Sequence, residues 1–159
     1  MRTFDEVYDA YAVMLYKIAF VYFGNPYDSE DAVQEVFAKY LKKAPPFKDE
    51  THERAWLIRV TQRQCLDMLK SPSRRSTELS EETLFADEED RELKTEVFRL
   101  LNTLPPKNKT VVVLYYYYGY SVREIAQMLK LSQSAVKMRL KRSREQLKTE
   151  WEDANNETG

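Results

Sequence analysis

The apolar residues of this chain recur at the spacing of an α-helix along most of its length. From Phe4 to Tyr22 they follow a three-four repeat, which Gly24 and Pro26 then interrupt. The 159 residues include only 3 glycines, so the sequence has little of the residue that tight hairpins and phosphate-binding loops need. A chain of this length has room for one ordinary domain or two very small ones. The pattern therefore predicts an all-α protein and excludes a large multidomain enzyme.

Two further helices follow in the N-terminal half. Asp28 is a candidate N-cap for a second helix that ends before Pro45. A third helix is predicted from near Thr51 to Ser71. We expect the buried stripe of the second helix to consist of Val33, Val36, Phe37, Tyr40 and Leu41. Three helices with short connections predict a compact bundle over residues 1–72.

The helical spacing lapses after this bundle and then returns. Residues 73–91 are polar and mainly acidic, a composition that predicts a flexible linker. Helical spacing resumes over residues 92–150, where we expect a second small domain. Residues 151–159 are expected to form a polar tail.

The run Val111–Tyr118 is ambiguous, because its valines and tyrosines have high β-propensity. We predict a buried helix here. Pro106 suits a first helical position, Gly119 suits a C′ cap, and the sequence offers no second strand for pairing.

The strongest local signal is a pair of capped helices after Gly119. Ser121 and Glu124 have the spacing of a capping box, and Ser132 suits the N-cap of the next helix after a tight connection. This is the spacing of a helix-turn-helix. We therefore predict an all-α protein with two small helical domains joined by a flexible linker, the C-terminal one containing a helix-turn-helix.

The second helix of this pair is strongly basic on its outward side. Residues 130–148 contain seven Lys or Arg residues and one acidic residue, Glu145. A solvated helix face would give the same charge run. The coincidence of the charge with two capped helices favours a phosphate backbone as the partner.

Several classes of chemistry are excluded by what the sequence lacks. Cys65 and His52 are its one cysteine and one histidine, so neither an internal disulfide nor a His/Cys zinc site is available. We expect no catalytic residue, no cofactor, no metal and no small-molecule substrate, and hence no enzyme. The start of the chain has no apolar signal segment and no run is long enough to cross a bilayer, so we expect a cytoplasmic protein.

Five stretches carry a resemblance to a known family. The first two are Asp28–Phe37 (DSEDAVQEVF) and Ala55–Val60 (AWLIRV), and they resemble region two of the extracytoplasmic-function (ECF) sigma factors of bacterial RNA polymerase. Leu104–Pro106 (LPP), Tyr120–Ala126 (YSVREIA) and Val136–Arg144 (VKMRLKRSR) resemble region four. The resemblance implies a protein that binds core polymerase and directs promoter-specific initiation of transcription.

The resemblance also implies which residues contact each partner. The polymerase surface, which meets the clamp helices of the largest subunit, would be Asp31, Gln34, Glu35 and Ala38. The readers of the −10 element would be Trp56, Arg59, Arg63 and Lys70, with the loop of residues 45–53. The readers of the −35 element would be Gln133, Ser134, Lys137, Met138, Lys141 and Arg142. Composition alone would leave the acidic face solvated, and Trp56 is as well explained by packing under Phe47.

Three positions depart from the family. Arg63 stands where an Asn commonly helps to hold an extruded base, and Arg cannot accept a hydrogen bond. Ala135 and Met138 stand where Thr and Ser are frequent. Because of these departures, the resemblance does not determine which base the −10 pocket holds or how part of the −35 element is read.

Other partners and other functions follow from the same features. The resemblance implies an anti-sigma factor, membrane-anchored in part of the family, which would hold the protein at the membrane. The main alternative is a stand-alone helix-turn-helix repressor or activator whose N-terminal bundle senses a ligand or dimerises. A helical adaptor that sequesters proteins without touching DNA is a third hypothesis. Binding to core polymerase separates the first hypothesis from the other two.

Overall fold

The computed structural model describes residues 2–71 and 96–158, and every regular element in that part of the chain is helical. The chain divides into two compact units, Met1–Ser80 and Glu81–Gly159. The predicted all-α class and the helix-turn-helix are confirmed. The predicted linker, residues 73–91, lies outside the described residues, and the domain limits stay a prediction.

Three helices that all contact one another form the first unit: α1 (Phe4–Phe23), α2 (Pro26–Lys43) and α3 (Glu50–Leu69). Helix α1 begins at Thr3, whose hydroxyl accepts a hydrogen bond from the Glu6 N–H at 3.2 Å. It ends at Gly24, whose φ of 72° lies in the left-handed region that glycine tolerates best. The C-terminal end of α1 thus agrees with the interruption predicted at Gly24, whereas the Thr3 cap was not predicted.

The core of this unit consists of the apolar stripes of the three helices. Its fully buried side chains include Leu15, Ile18, Val36, Leu57 and Ile58. Each such side chain contributes about 1.5 to 3 kcal/mol relative to an exposed position. Cys65 is fully buried beside this stripe, as expected for a small apolar residue.

The start of α2 differs from the expectation. Its N-cap is Asn25, whose Oδ1 accepts a hydrogen bond from the Asp28 N–H at 2.9 Å, and Pro26 is the first helical residue. Proline suits that position because its missing N–H would have had no helical partner. Asp28 is therefore the third residue of the helix, and its carboxylate accepts a hydrogen bond from Asn25 Nδ2 at 3.1 Å.

The expected buried stripe of α2 was wrong at one end. Leu41 is 65% exposed, whereas Val33, Val36 and Phe37 are buried and Tyr40 is half-buried. Each four-residue step along an α-helix turns the side chain by about 40° beyond a full turn. Leu41 is two such steps from Val33, so it lies outside the buried sector.

In the second unit, residues 96–102 belong to a helix, α4, which is followed by α5 (Pro106–Val112) and a π-helical turn (Val113–Tyr117). The prediction of a helix rather than a strand is confirmed, and Gly119 has the positive φ of 74° expected of the cap. The prediction that this run is buried was only partly correct. The valines are buried, but Tyr116 and Tyr117 are 54% and 62% exposed.

Helices α6 (Val122–Leu129) and α7 (Gln133–Thr158) form the helix-turn-helix. The capping box of Ser121 and Glu124 has both of its hydrogen bonds, at 3.1 and 3.0 Å. The turn passes through Lys130 in the left-handed region, and Ser132 Oγ accepts a hydrogen bond from the Ala135 N–H. The expected polar tail is helical as far as Thr158, because α7 continues through it.

Candidate nucleic-acid and protein interfaces

One side of α7 is buried, and an exposed basic surface lies about 100° around the helix from it. Val136, Leu140 and Ser143 are buried against the rest of the unit. Lys137 and Lys141 are exposed and lie on one stripe of the helix, since four residues complete about one turn. The same stripe continues through Arg144 and Lys148. An exposed stripe of four cations fits the evenly spaced charges of a phosphate backbone.

The predicted −35 residues are all exposed at the N-terminal part of α7. The structure brings together Gln133, Ser134, Lys137, Met138, Lys141 and Arg142. They do not share a single stripe, because Arg142 lies about 100° around the helix from Lys141. The first turns of a recognition helix are those that enter the major groove.

Two arginines of α7 are held by α5 and the π-helical turn. Arg139 Nη1 donates a hydrogen bond to the Lys107 carbonyl at 3.1 Å, at the start of α5. Arg144 Nη1 donates to the Tyr116 hydroxyl at 3.2 Å, and this bond raises the pKa of Arg144. Sequence reasoning counted Arg139 only as part of the basic run of residues 130–148, and the structure shows its guanidinium bonded to the start of α5. It also missed Tyr116, whose only signal was its place in the tyrosine run.

In the first unit, an aromatic cluster holds the loop between α2 and α3. We define the aromatic cluster as Tyr40, Phe47, His52 and Trp56. The Phe47 ring is stacked on Tyr40 at 6.1 Å and meets Trp56 edge-on at 5.8 Å. His52 packs against Phe47 at 5.2 Å, and its Nδ1 accepts a hydrogen bond from the Lys48 N–H at 3.1 Å. Trp56 therefore packs under the loop, and it remains half-buried with part of its surface open.

A buried carboxylate lies beside this cluster. Glu53 is 8% exposed and accepts hydrogen bonds from Arg2 Nη2 at 2.6 Å and from the Tyr40 hydroxyl at 2.8 Å. Burial of the ring, and then the bond to Glu53, raises the pKa of Tyr40 to about 12. Sequence reasoning missed these contacts. The available signal was the position of Glu53 four residues before Leu57, on the buried stripe of α3.

Two of the predicted −10 cations lie within α3, and the third lies just after its end. Arg59 is half-buried and Arg63 is exposed, one turn apart. Burial lowers the pKa of Arg59, and the charge of Arg63 lowers it further. A bound phosphate would offset that repulsion. Lys70 follows the end of the helix, about 21 Å along the axis from Trp56, and its Nζ lies 3.8 Å from Asp67 Oδ1.

The predicted polymerase surface lies on the outer side of α2. Gln34, Glu35 and Ala38 are exposed, and Asp31 is half-buried. Sequence reasoning missed Tyr27, which is 85% exposed on the same side of the helix. The structure thus brings all four predicted residues onto one side of α2, with the exposed aromatic side chain of Tyr27 on the same side.

Within the described residues, no group of three or more His, Cys, Asp or Glu side chains has a metal-binding arrangement. Among the same residues, no helix has both the length and the apolar character required to span a membrane.

Comparison with known proteins identifies both units. The family model for Sigma-70 region 2 matches residues 7–75, and the model for Sigma-70, region 4 matches residues 94–147. The ECF RNA polymerase sigma factor SigE of Mycolicibacterium smegmatis is 30% identical over 158 residues, which cover 93% of this chain and 61% of SigE. The ECF RNA polymerase sigma factor SigX of Bacillus subtilis is 25% identical over 149 residues, with 86% and 77% covered. The chain thus spans less than two thirds of the length of SigE.

Two solved structures share the fold. CnrH in complex with the cytosolic domain of CnrY is 24% identical with a TM-score of 0.70, and the match covers 94% of this chain and 88% of CnrH. The sigma factor RpoE of Bartonella quintana, in complex with the anti-sigma factor NepR, is 17% identical with a TM-score of 0.71. That match covers 92% of this chain and 94% of RpoE. Together the two Sigma-70 models match most of this chain, which therefore belongs to the sigma-70 family and is similar to the ECF RNA polymerase sigma factors.

Proposed function

We propose that this protein binds core RNA polymerase and directs promoter-specific transcription initiation by recognising the −10 and −35 elements. The observation that carries the proposal is the presence, in one short chain, of both a region 2 bundle and a region 4 helix-turn-helix. A stand-alone repressor or a protein adaptor needs only one of these units. The protein supplies binding surfaces and no catalytic group of its own.

The three surfaces take different parts in this function. Asp31, Gln34, Glu35 and Ala38 on α2 dock on the clamp helices of the largest polymerase subunit. The acidic charge of this surface suits a basic partner, and its open position on α2 leaves room for a helix.

Trp56, Arg59, Arg63 and Lys70 contact the −10 element. A half-buried indole beside cations combines a stacking surface for unpaired bases with charge for phosphates. The −35 residues on α7 enter the major groove, with Lys137 near the N-terminal end, where base contacts are made, and Arg144 and Lys148 further along the phosphate backbone.

An anti-sigma factor is the expected regulator of this protein. The support is that the similar structures of CnrH and RpoE are complexes with CnrY and with the anti-sigma factor NepR. Such a partner would cover surfaces that the free protein exposes. A membrane-anchored partner would hold this otherwise cytoplasmic protein at the membrane.

Transcription by purified core polymerase, with and without the full-length protein, tests the proposal over a genomic promoter library. A sigma factor produces new transcripts that start at a common promoter class. A stand-alone regulator binds DNA without associating with core polymerase, and an adaptor does neither. Absence of polymerase binding by the folded protein would show that the proposed function is wrong.

A further inference from the structure

The first unit contains a charged network that none of the proposed contacts uses. We define the Glu53 network as Arg2, Tyr11, Tyr40 and Glu53. Arg2 Nη2 reaches Glu53 Oε1 at 2.6 Å and the Tyr11 hydroxyl at 3.0 Å, and its guanidinium lies 5.3 Å from the centre of the Tyr11 ring. Both carboxylate oxygens of Glu53 accept a hydrogen bond, one from Arg2 and one from Tyr40. A buried carboxylate without such partners would be strongly unfavourable.

The network is joined to the aromatic cluster through a single side chain. Tyr40 donates its hydroxyl to Glu53 at 2.8 Å. The same ring contacts Phe47 at 6.1 Å and Trp56 at 6.1 Å. The position of Tyr40 is therefore set from one side by a charge-assisted hydrogen bond, and it sets the positions of two rings on the other side.

We propose that Glu53 and Arg2 are positioning residues for the −10 element, because they fix Tyr40 and thereby hold Phe47 and Trp56 in place for the unpaired promoter bases. The inference rests on the proposed sigma-factor function. Neither Glu53 nor Arg2 needs to touch DNA in this role. Glu53 orients the Tyr40 ring, and Arg2 neutralises the carboxylate close to a surface that receives phosphates.

The loop itself explains why such support matters. Residues 44–49 are not helical, and Phe47 is the member of the aromatic cluster that this loop contributes. The loop is held by ring contacts and by the bond from the Lys48 N–H to His52. A stacking surface that is already formed loses less conformational entropy when it binds a base. Loss of the hydrogen bond that fixes Tyr40 is therefore expected to weaken binding of the unpaired promoter strand more than it weakens binding to polymerase.

The test compares Tyr40→Phe with the unaltered full-length protein. The change removes the hydroxyl and keeps the ring, so the stacking area is retained while the bond to Glu53 is lost. Tyr8→Phe is the matched control, because Tyr8 packs on Phe37 at 4.9 Å in the same unit and lies outside the Glu53 network. All variants carry Trp151→Phe, which leaves Trp56 as the single tryptophan reporter.

Three quantities are measured. Promoter opening is followed at saturating core polymerase by 2-aminopurine placed in the −10 element, polymerase association is measured by titration, and acrylamide quenching of Trp56 emission is measured on the free protein. Tyr40→Phe should lower the opening equilibrium about tenfold, equivalent to about 1.4 kcal/mol, and increase Trp56 quenching. Polymerase association should remain unchanged. Arg2→Gln should change opening in the same direction, and Tyr8→Phe should leave all three quantities unchanged.

The outcomes separate this inference from the proposed function. If the unaltered protein opens promoters and folded Tyr40→Phe opens them equally well, the positioning role is wrong and the sigma-factor function stands. If polymerase association and opening fall together, the network acts on folding alone, which also overturns the inference. If the unaltered protein never binds core polymerase, the proposed function fails and the inference fails with it. If Tyr40→Phe does not fold, Arg2→Gln, at the edge of the network, decides by the same criteria.

Discussion

Arg144 of helix α7 donates a hydrogen bond to the hydroxyl of Tyr116, which lies in the π-helical turn that follows α5. The bond joins residues 28 positions apart in the sequence. It holds the guanidinium in place within the basic stripe that Arg144 shares with Lys137 and Lys141. A cation that is already oriented loses less side-chain entropy on meeting a phosphate.

Loss of the Tyr116 hydroxyl should therefore weaken DNA binding through Arg144. Tyr116→Phe should raise the Kd for promoter DNA by about two- to tenfold, the range expected for one hydrogen bond. In an Arg144→Ala background the same change should have no further effect, because the two residues act as a pair. Fluorescence anisotropy of the four proteins in a double-mutant cycle measures this coupling. Tyr117→Phe is the matched control, and additive effects of the two changes would contradict the prediction.

The outer surface of α2 should be required for polymerase binding and dispensable for DNA binding. Gln34→Ala combined with Glu35→Lys removes one amide and reverses one charge, both at exposed positions, so the bundle should stay folded. We expect the free energy of polymerase binding to weaken by about 2 to 5 kcal/mol, as for loss of a paired charge at an interface. Co-elution with core polymerase measures binding, and circular dichroism checks the fold. Asp9→Lys, an exposed charge reversal on α1, should bind normally. Full promoter-specific transcription by the double variant would show that the assigned surface is wrong.

Lys137 should contribute to base recognition, whereas Lys148 should contact only phosphate. Lys137→Ala should weaken binding to the preferred −35 sequence by about 1 to 3 kcal/mol and relax selectivity at one position. Lys148→Ala, three turns further along α7, should weaken binding evenly across sequences and reduce the salt slope by about 1. Selection from a randomised −35 library with each protein distinguishes the two effects. An even loss of affinity with Lys137→Ala would place that side chain on phosphate instead.

Tyr40 should make the first unit lose stability at alkaline pH. Burial and the bond to Glu53 raise the pKa of Tyr40 to about 12, compared with about 10 in an unfolded chain. Between these values the unfolded chain releases a proton that the folded protein retains, so the free energy of unfolding decreases as pH rises. This contribution is complete below about pH 10 and is lost as the pH rises through the folded pKa.

Urea unfolding followed by Trp56 emission in the Trp151→Phe background measures this effect at pH 9 and pH 11. Tyr40→Phe cannot titrate at this position, so its free energy of unfolding should fall less between the two pH values. Equal decreases in both proteins would rule out Tyr40 as the source.

The sequence was sufficient for features that depend on local chemistry. The end of α1 at Gly24, the capping box at Ser121 and the positive φ at Gly119 all follow from residue types at fixed offsets. The N-cap of α2 was misplaced because Asn25 and Asp28 are both favourable capping residues, and only the position of Pro26 decides between them. Leu41 was misassigned because a four-residue repeat drifts around the helix.

The contacts at the candidate sites depend on residues far apart in the chain, and periodicity carries no information about such pairs. The Arg2–Glu53 pair spans 51 positions. Glu53 on a buried stripe signals that some partner must exist, because a buried carboxylate needs one. It does not indicate which of 25 Lys and Arg residues supplies it. Family resemblance identified the three candidate surfaces, and it gave no indication of the hydroxyls of Tyr40 and Tyr116.

The π-helical turn gives neighbouring tyrosines of the run Tyr115–Tyr118 different surroundings. The Tyr118 N–H bonds to the Val113 carbonyl at 3.1 Å, five residues back, so this turn is wider than an ordinary α-helical turn. Tyr116 projects outward to Arg144, whereas burial raises the pKa of Tyr118. The residue type is the same at each position, so the winding of the backbone determines which tyrosine side chain is exposed and which is buried. Insertion or removal of one residue in this run would therefore change which tyrosine side chains are exposed and which are buried. A tyrosine-to-phenylalanine change would remove one hydroxyl and leave the positions of the other tyrosines unchanged.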